Sequence, residues 1–143
     1  MPRLEKKIGI VSTPEKIYNI LLDDFNTPKW NPTISAIIET ENNKIQLDTD
    51  LGGFTINNIE TAENKSVIWR MEESDLESIG YILTPKTKAT EVTIWIEFDN
   101  KKLLKLLKKT ANLGLTGLKN YVEFIEKGGD PDLYNKWDLL VNP

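Results

Sequence analysis

The feature that most constrains the fold is a run of short alternating segments between Ile34 and Asp99. Apolar and polar residues alternate there with a period near two, which is the pattern of strands that have one buried face. The predicted strands span 34–40, 44–50, 54–62, 66–72, 76–85 and 90–99. The links between them are too short for the crossover of about a dozen residues that parallel neighbours need. The sequence therefore predicts an antiparallel sheet in which consecutive strands pair.

A long amphipathic helix is predicted to follow the strands, over 101–127. Asn100 stands before it as a cap and Gly128-Gly129 closes it. A helix of this length extends for roughly 40 Å, enough to cross a small sheet. Its stripe of apolar and small residues, at spacings of three and four, is Leu103, Leu107, Ala111, Gly114, Leu118, Val122 and Ile125.

The first thirty residues predict one more strand, over 4–11, and two short helices. Ser12 and Glu15 fit a capping box for the first helix, and the Pro-punctuated segment 27–32 predicts one helical turn. The whole order predicts an α+β helix-grip domain over 1–129. In this domain a curved antiparallel sheet of about seven strands surrounds the long C-terminal helix. Residues 130–143 are expected to form a tail that packs on the domain or on a partner.

The composition excludes several kinds of chemistry. The 143 residues include no cysteine and no histidine, which removes thiolate nucleophiles, Ser-His-Asp triads and the commonest transition-metal ligands. We predict no metal site and no cofactor. Asp48, Asp50 and Gly52 suggest a calcium loop, but the third oxygen ligand and the terminal glutamate are missing.

The charge and the hydropathy of the chain limit the classes of partner that it can bind. The net charge of −4 argues against binding to nucleic acid. No apolar run approaches the roughly 20 residues of a membrane-spanning helix, and no N-terminal signal pattern is seen. We therefore expect a cytoplasmic protein without integral membrane association.

Four short segments carry a resemblance to a known family. They are Ser12 to Tyr18 at the first helix, Trp30-Asn31-Pro32 after it, Val67-Ile68-Trp69-Arg70, and Thr90 to Ile94. At this spacing they resemble the START/birch-allergen-like (SRPBCC) superfamily, most closely its polyketide cyclase/dehydrase and lipid-transport branch. The resemblance covers about 3–127 and implies an apolar pocket between the sheet and the long helix. It leaves the activity open, because the superfamily includes carriers, cyclases, hydrolases and protein-binding modules.

Candidate pocket residues follow from placing the long helix over the concave face of the sheet. Tyr81 is also the candidate catalytic residue, because its hydroxyl could orient a carbonyl or act as a weak acid. The alternative is a buried tyrosine bonded to a backbone carbonyl or water. The predicted ligand-binding residues are Trp30, Phe54, Ile56, Trp69, Met71, Tyr81, Leu83, Ile94, Ile96, Phe98, Leu107, Gly114 and Leu118.

The presence of two glycines within one turn of the long helix requires an explanation in the local structure. Glycine in a helix costs about 1 kcal/mol relative to alanine. Gly114 and Gly117 therefore indicate either room for a ligand or close packing against Trp69 or Trp30.

Trp95 is predicted to face away from the pocket, because its neighbours Ile94 and Ile96 face it. An exposed tryptophan on a strand is typical of an interface. We therefore expect a possible homodimer through Trp95 or the C-terminal tail, with Trp137 as the candidate to cover Trp95. Leu133, Leu140 and Val141 would pack the tail.

Three functions remain open at this stage. The prediction is binding or transport of a small hydrophobic ligand, such as a lipid, a polyketide or an aromatic molecule. A cyclase or dehydratase would need two or more ionisable residues in the cavity. A protein-interaction adaptor would have a filled cavity.

Overall fold

The computed structural model describes residues 2–39, 44–72 and 74–137. These residues form an antiparallel sheet of seven strands in the order β1-β7-β6-β5-β4-β3-β2. The antiparallel pairing of consecutive strands from β2 to β7 is as predicted, the first strand pairs with the last, and β1 and β2 are the two edges. The strands are β1 (Arg3–Ile10), β2 (Ile34–Glu39), β3 (Ile45–Thr49), β4 (Gly52–Ala62), β5 (Ser66–Met71), β6 (Leu76–Pro85) and β7 (Thr90–Phe98). The predicted link 41–43 and the tail residues Leu140 and Val141 lie outside the described residues.

The helices are α1 (Pro14–Leu22), α2 (Thr27–Trp30) and α3 (Leu104–Glu126), with a 3₁₀ turn at Lys101–Leu103 leading into α3. The Asn100 side chain accepts a hydrogen bond from the Lys102 N–H at 3.0 Å. Gly128 follows α3 with a φ of +89°, a conformation that favours glycine. The predicted helix-grip architecture is confirmed. No helix in the described part of the chain combines the length and apolarity needed to cross a membrane.

The predicted capping box at the start of α1 is wrong. The capping residue is Thr13, whose Oγ1 accepts from the Lys16 N–H at 3.3 Å. Pro14 takes the first helical position, and this moves the cap one residue beyond Ser12. Ser12 instead donates to Glu126 Oε1 at 2.7 Å, which joins the start of α1 to the end of α3.

The core lies between the concave face of the sheet, α3 and the short helices. Alternate residues of β7 supply one row of it: Val92, Ile94, Ile96 and Phe98. β-Bulges interrupt the alternation in β4, between Ile56 and Asn58, and in β6, between Leu76 and Ser78. Because a bulge adds one residue to a strand, Leu76 and Ile79 both point into the core although they are three positions apart.

The prediction of an exposed Trp95 is wrong. Trp95 is only 6% exposed, although it lies on the outer face of the sheet. Its partner on β6 is Gly80, and a Cβ added to Gly80 would lie 2.1 Å from the indole ring. The Arg3 guanidinium covers the other side of the ring, 4.6 Å from its centroid. Since neighbouring strands bury this tryptophan, a homodimer through Trp95 loses its basis, and a homodimer through the tail stays a prediction.

The described part of the tail, 130–137, packs against the helices. The Tyr134 ring lies 5.0 Å from the Tyr121 ring and 5.2 Å from the Phe124 ring, centroid to centroid. Trp137 does not share this burial. It is 53% exposed, and its ring contacts the ammonium of its neighbour Lys136.

Candidate functional site

An apolar cavity lies between the concave face of the sheet and α3. Its volume is about 40 Å³. A single water needs roughly 10–15 Å³, so this space holds about three waters, and an organic ring would enter only if the wall moved. The lining residues are Asn31, Thr33, Ile34, Leu47, Thr49, Leu51, Phe54, Trp69, Leu76, Ile79, Tyr81, Ile94, Ile96, Leu107, Thr110 and Gly114.

The sequence-predicted pocket residues divide into two groups. Those on the cavity wall are Phe54, Trp69, Tyr81, Ile94, Ile96, Leu107 and Gly114. Those buried in the core away from the wall are Trp30, Ile56, Met71, Leu83, Phe98 and Leu118. α1 packs on β5 and β6, so part of the concave face is covered by this helix and part of it borders the cavity. An inward-facing residue therefore meets either packed protein or the cavity.

Several wall residues were absent from the predicted set. Leu47 and Thr49 lie two apart on β3, so the period-two pattern could have identified them. Leu76 reaches the wall only because of the bulge in β6, which the residue pattern does not indicate. The segment between α2 and β2 supplies Asn31 and Thr33, and such a link has no periodicity to read. The full missed set is Asn31, Thr33, Ile34, Leu47, Thr49, Leu51, Leu76 and Thr110, whereas the alternation along β6 already predicts that Ile79 faces inward.

The two helix glycines have different roles. Gly114 borders the cavity, and a Cβ added there would lie 3.4 Å from Asn31 Nδ2, an ordinary contact. A Cβ added to Gly117 would lie 2.3 Å from the carbonyl oxygen of Trp30. Gly117 is therefore needed for the close approach of α2 to α3, whereas Gly114 leaves space beside the cavity.

Tyr81 lies on the wall with its hydroxyl unpaired. The described residues include no hydrogen-bond partner for this hydroxyl, so the predicted alternative of a bond to a backbone carbonyl is not seen. Burial raises the pKa of Tyr81 well above its ordinary value. The group therefore stays protonated at neutral pH and can donate a hydrogen bond, but it is poorly suited to act as a base.

Asn31 is held in one orientation. Its Oδ1 accepts from the Thr33 N–H at 3.0 Å and from the Thr33 hydroxyl at 2.8 Å. Oxygen and nitrogen of an amide are assigned from such partners, and a backbone N–H can only donate. The side-chain oxygen must therefore face Thr33, and the NH₂ group must face elsewhere.

Lys136 of the tail holds the same wall segment from outside. Its ammonium donates to the carbonyl oxygens of Pro28, Asn31 and Ile34, the last two at 3.1 and 3.2 Å. Burial lowers the pKa of Lys136 from its usual value. Charged donors make stronger hydrogen bonds than neutral ones, so the tail fastens the segment that supplies Asn31, Thr33 and Ile34 to the cavity.

Asp24 stands beside Trp69, a residue of the cavity wall. Burial, together with the nearby Asp23 carboxylate, raises the pKa of Asp24 to about 6, and the Trp69 indole N–H partly opposes this. Asp24 Oδ1 and Trp69 Nε1 are both fully buried without an aligned hydrogen-bond partner. Ionisation of Asp24, which occurs as the pH rises through about 6, therefore lowers the stability of the folded protein.

Asp24→Asn is expected to raise the free energy of unfolding by about 1 kcal/mol at pH 8, after allowance for the solvent exposure of this carboxylate. The raised pKa means that the folded state binds the proton more tightly than the unfolded state. The stability from this group is complete below about pH 4 and is lost as the pH rises through 6. Urea unfolding at pH 4 and at pH 8 measures the difference between the variant and the wild type. An equal difference at both pH values would contradict the prediction.

Comparisons with known proteins bear on the fold. No protein-family model matches the sequence, and no curated protein matches it. Among solved structures, a START superfamily protein from Mycobacterium smegmatis is 17% identical with a TM-score of 0.70, covering 86% of this chain and 98% of that one. The Zhui aromatase/cyclase from Streptomyces sp. R1128 is 10% identical with a TM-score of 0.73, covering 90% and 99%. The Aha1 dimer from Colwellia psychrerythraea is 22% identical with a TM-score of 0.66, covering 86% and 97%.

These likenesses concern the shape of the whole chain. The matched structures are spanned almost completely, so the chain shares their helix-grip fold, as the sequence predicted. At 10–22% identity they show the fold alone, and function must be argued from the site.

Proposed function

We propose that this chain, which has the helix-grip fold of the START superfamily, binds a small apolar or aromatic molecule in the cavity between the sheet and α3. The observation that carries the proposal is the composition of the wall. Most of its side chains are aliphatic or aromatic, and its polar members are Asn31, Thr33, Thr49, Tyr81 and Thr110. Burial of apolar ligand surface in such a space contributes about 25 cal/mol per Å².

A cyclase or dehydratase is the second candidate. The likeness to an aromatase/cyclase and the unpaired Tyr81 hydroxyl on the wall favour it. Proton transfer needs a donor and an acceptor near the substrate, and Tyr81 is the sole ionisable side chain that the described residues place on the wall. The lack of a second ionisable side chain among the described wall residues supports ligand binding rather than catalysis. The open space in turn argues against an adaptor with a filled core.

The size of the cavity restricts the ligand. The space of about 40 Å³ is smaller than the roughly 150 Å³ of a cavity that holds benzene, so even a compact ring requires the wall to move, and a long lipid or polyketide chain requires a larger movement. The segment that Lys136 fastens supplies Asn31 and Thr33, which lie outside the sheet and α3, as does Leu51 in the turn between β3 and β4. We therefore infer that compact aromatic or aliphatic molecules are the first ligands to test.

Native mass spectrometry of the purified protein tests the proposal directly. We expect an adduct of small mass, and organic extraction followed by mass analysis would identify it. A set of compact aromatic probes, followed by NMR shift changes, covers the case of a weak ligand lost on purification. If neither an adduct nor any probe-induced shift at cavity residues is found, the proposal is wrong.

Gly114→Leu is expected to reduce probe binding at least tenfold, because the new side chain projects from α3 toward Asn31 and fills the cavity. Asn112→Leu is the matched control, since it introduces the same side chain at an exposed position of the same helix. NMR titration with a compact aromatic probe gives both affinities, and circular dichroism verifies folding. Equal affinities in the two variants would place binding outside this cavity.

A further inference from the structure

The cavity wall contains one polar group whose orientation the fold determines. Asn31 is 4% exposed, and the two hydrogen bonds from Thr33 fix its Oδ1. The Nδ2 atom is then the side-chain atom nearest to the position that a Gly114 Cβ would occupy, at 3.4 Å. The absence of a side chain at Gly114 leaves this NH₂ group uncovered beside the cavity.

The NH₂ group has no acceptor within the chain. Among residues 2–39, 44–72 and 74–137, no oxygen accepts a hydrogen bond from Asn31 Nδ2. The fully buried side-chain atoms without a partner are Asp24 Oδ1, Thr27 Oγ1, Trp30 Nε1, Trp69 Nε1 and Tyr134 Oη. Asn31 Nδ2 is not one of these sealed atoms, so it retains contact with open space. A donor in this position loses free energy unless the cavity's occupant provides an acceptor.

We propose that the cavity selects apolar or aromatic molecules that carry a hydrogen-bond acceptor, of which a carbonyl oxygen is the simplest, and that Asn31 Nδ2 is the donor that recognises it. This inference rests on the proposed function of ligand binding. The protonated Tyr81 hydroxyl and the Thr110 hydroxyl are further donors on the same wall. A ligand with an acceptor at one end and an apolar body would satisfy the amide while the body fills the rest of the cavity.

The first experiment uses the wild-type protein and two probes of similar shape, acetophenone and ethylbenzene. The ketone has the acceptor and the hydrocarbon lacks it. We expect acetophenone to bind about tenfold more tightly in NMR titrations, since a ligand without an acceptor leaves the buried donor unpaired. If both probes bind equally, the inference is wrong while the proposed function stands. If neither binds, the proposed function fails as well.

The second experiment tests the assignment to Asn31. Asn31→Asp keeps an oxygen for the Thr33 contacts and replaces the NH₂ group by a second acceptor. At pH 8 we expect this variant to lose the preference for acetophenone over ethylbenzene, because its second oxygen cannot donate to the ketone oxygen. Asn112→Asp is the control, because it makes the same substitution at an exposed position of α3, outside the cavity, and should keep the preference.

The variants also separate the possible failures. A preference that survives in Asn31→Asp, or that disappears in Asn112→Asp, would overturn the assignment to Asn31. Proton–nitrogen correlation spectra verify that each variant is folded. Should Asn31→Asp fail to fold, Asn31→Ser, which removes the NH₂ group and introduces no charge, decides the same question by the same pair of probes.

Discussion

Gly117→Ala is expected to lower the free energy of unfolding by about 2–3 kcal/mol, although alanine normally favours a helix over glycine by about 1 kcal/mol. The added Cβ would lie 2.3 Å from the Trp30 carbonyl oxygen and 2.9 Å from Cδ of Pro32. The first of these atoms belongs to the backbone, so relief requires α2 to move away from α3. Urea or thermal unfolding measures the loss.

Gly114→Ala is the matched control, three residues away on the same helix. Its Cβ would meet the Asn31 amide at 3.4 Å, so the helix propensity of alanine should outweigh the contact. We expect this variant to be as stable as the wild type or up to about 1 kcal/mol more stable. If the two alanine variants unfold alike, the close approach at Gly117 does not hold α2 in place.

This pair of glycines also connects the fold to the site. Gly117 allows the Trp30 carbonyl to approach α3, and Gly114 lies beside the next residue, Asn31. A shift of α2 would therefore move the amide that we assign to ligand recognition. Gly117→Ala should weaken the preference for acetophenone as well as the stability.

Trp95→Ala is expected to lower the free energy of unfolding by about 3 kcal/mol, near the lower end of the range for loss of a buried aromatic side chain. The ring covers Gly80 and lies under the Arg3 guanidinium, so its removal uncovers Gly80, which has no side chain of its own. The loss is limited because the outer face of the sheet lets water enter the gap. Urea unfolding measures it.

Trp137→Ala is the control, since the same substitution is made at a tryptophan that is 53% exposed. A change within about 0.5 kcal/mol is expected there. Light scattering should show the same oligomeric state for Trp95→Ala and the wild type, because Trp95 is buried within its own chain. A change of oligomeric state in Trp95→Ala would restore this surface as an interface. Such a change in Trp137→Ala would support the predicted interface through the tail.

Trp95 also illustrates where a strand pattern stops being informative. Alternation along β7 correctly places Trp95 on the other face of the sheet from Ile94 and Ile96, which line the cavity. It does not say what lies across the strand. Trp95 pairs with Gly80 across the β6–β7 ladder, and this pairing buries the ring. The residue pattern does not reveal the pairing, because it depends on the register of the two strands.

The cavity shows the same division in more detail. Phe54, Trp69 and Tyr81 follow from period-two alternation in strands and lie on its wall, and Leu107 and Gly114 follow from the helix stripe. The bulge in β6 places Leu76 on the wall as well, because one inserted residue turns the side chains that precede the bulge to the opposite face of the sheet. Asn31 and Thr33 come from a link whose path depends on the packing of α2 against α3.

The residue pattern alone predicts the antiparallel pairing of the consecutive strands β2 to β7 and the long C-terminal helix, because these depend on local periodicity and on the shortness of the links, and the family resemblance adds the helix-grip architecture. Only the tertiary structure decided which inward residues border open space, that Gly117 seats α2 whereas Gly114 leaves room, and that Thr33 turns the Asn31 amide. These features depend on distances between segments remote in sequence. Their physical basis is close packing, in which differences of a few tenths of an ångström separate contact from space.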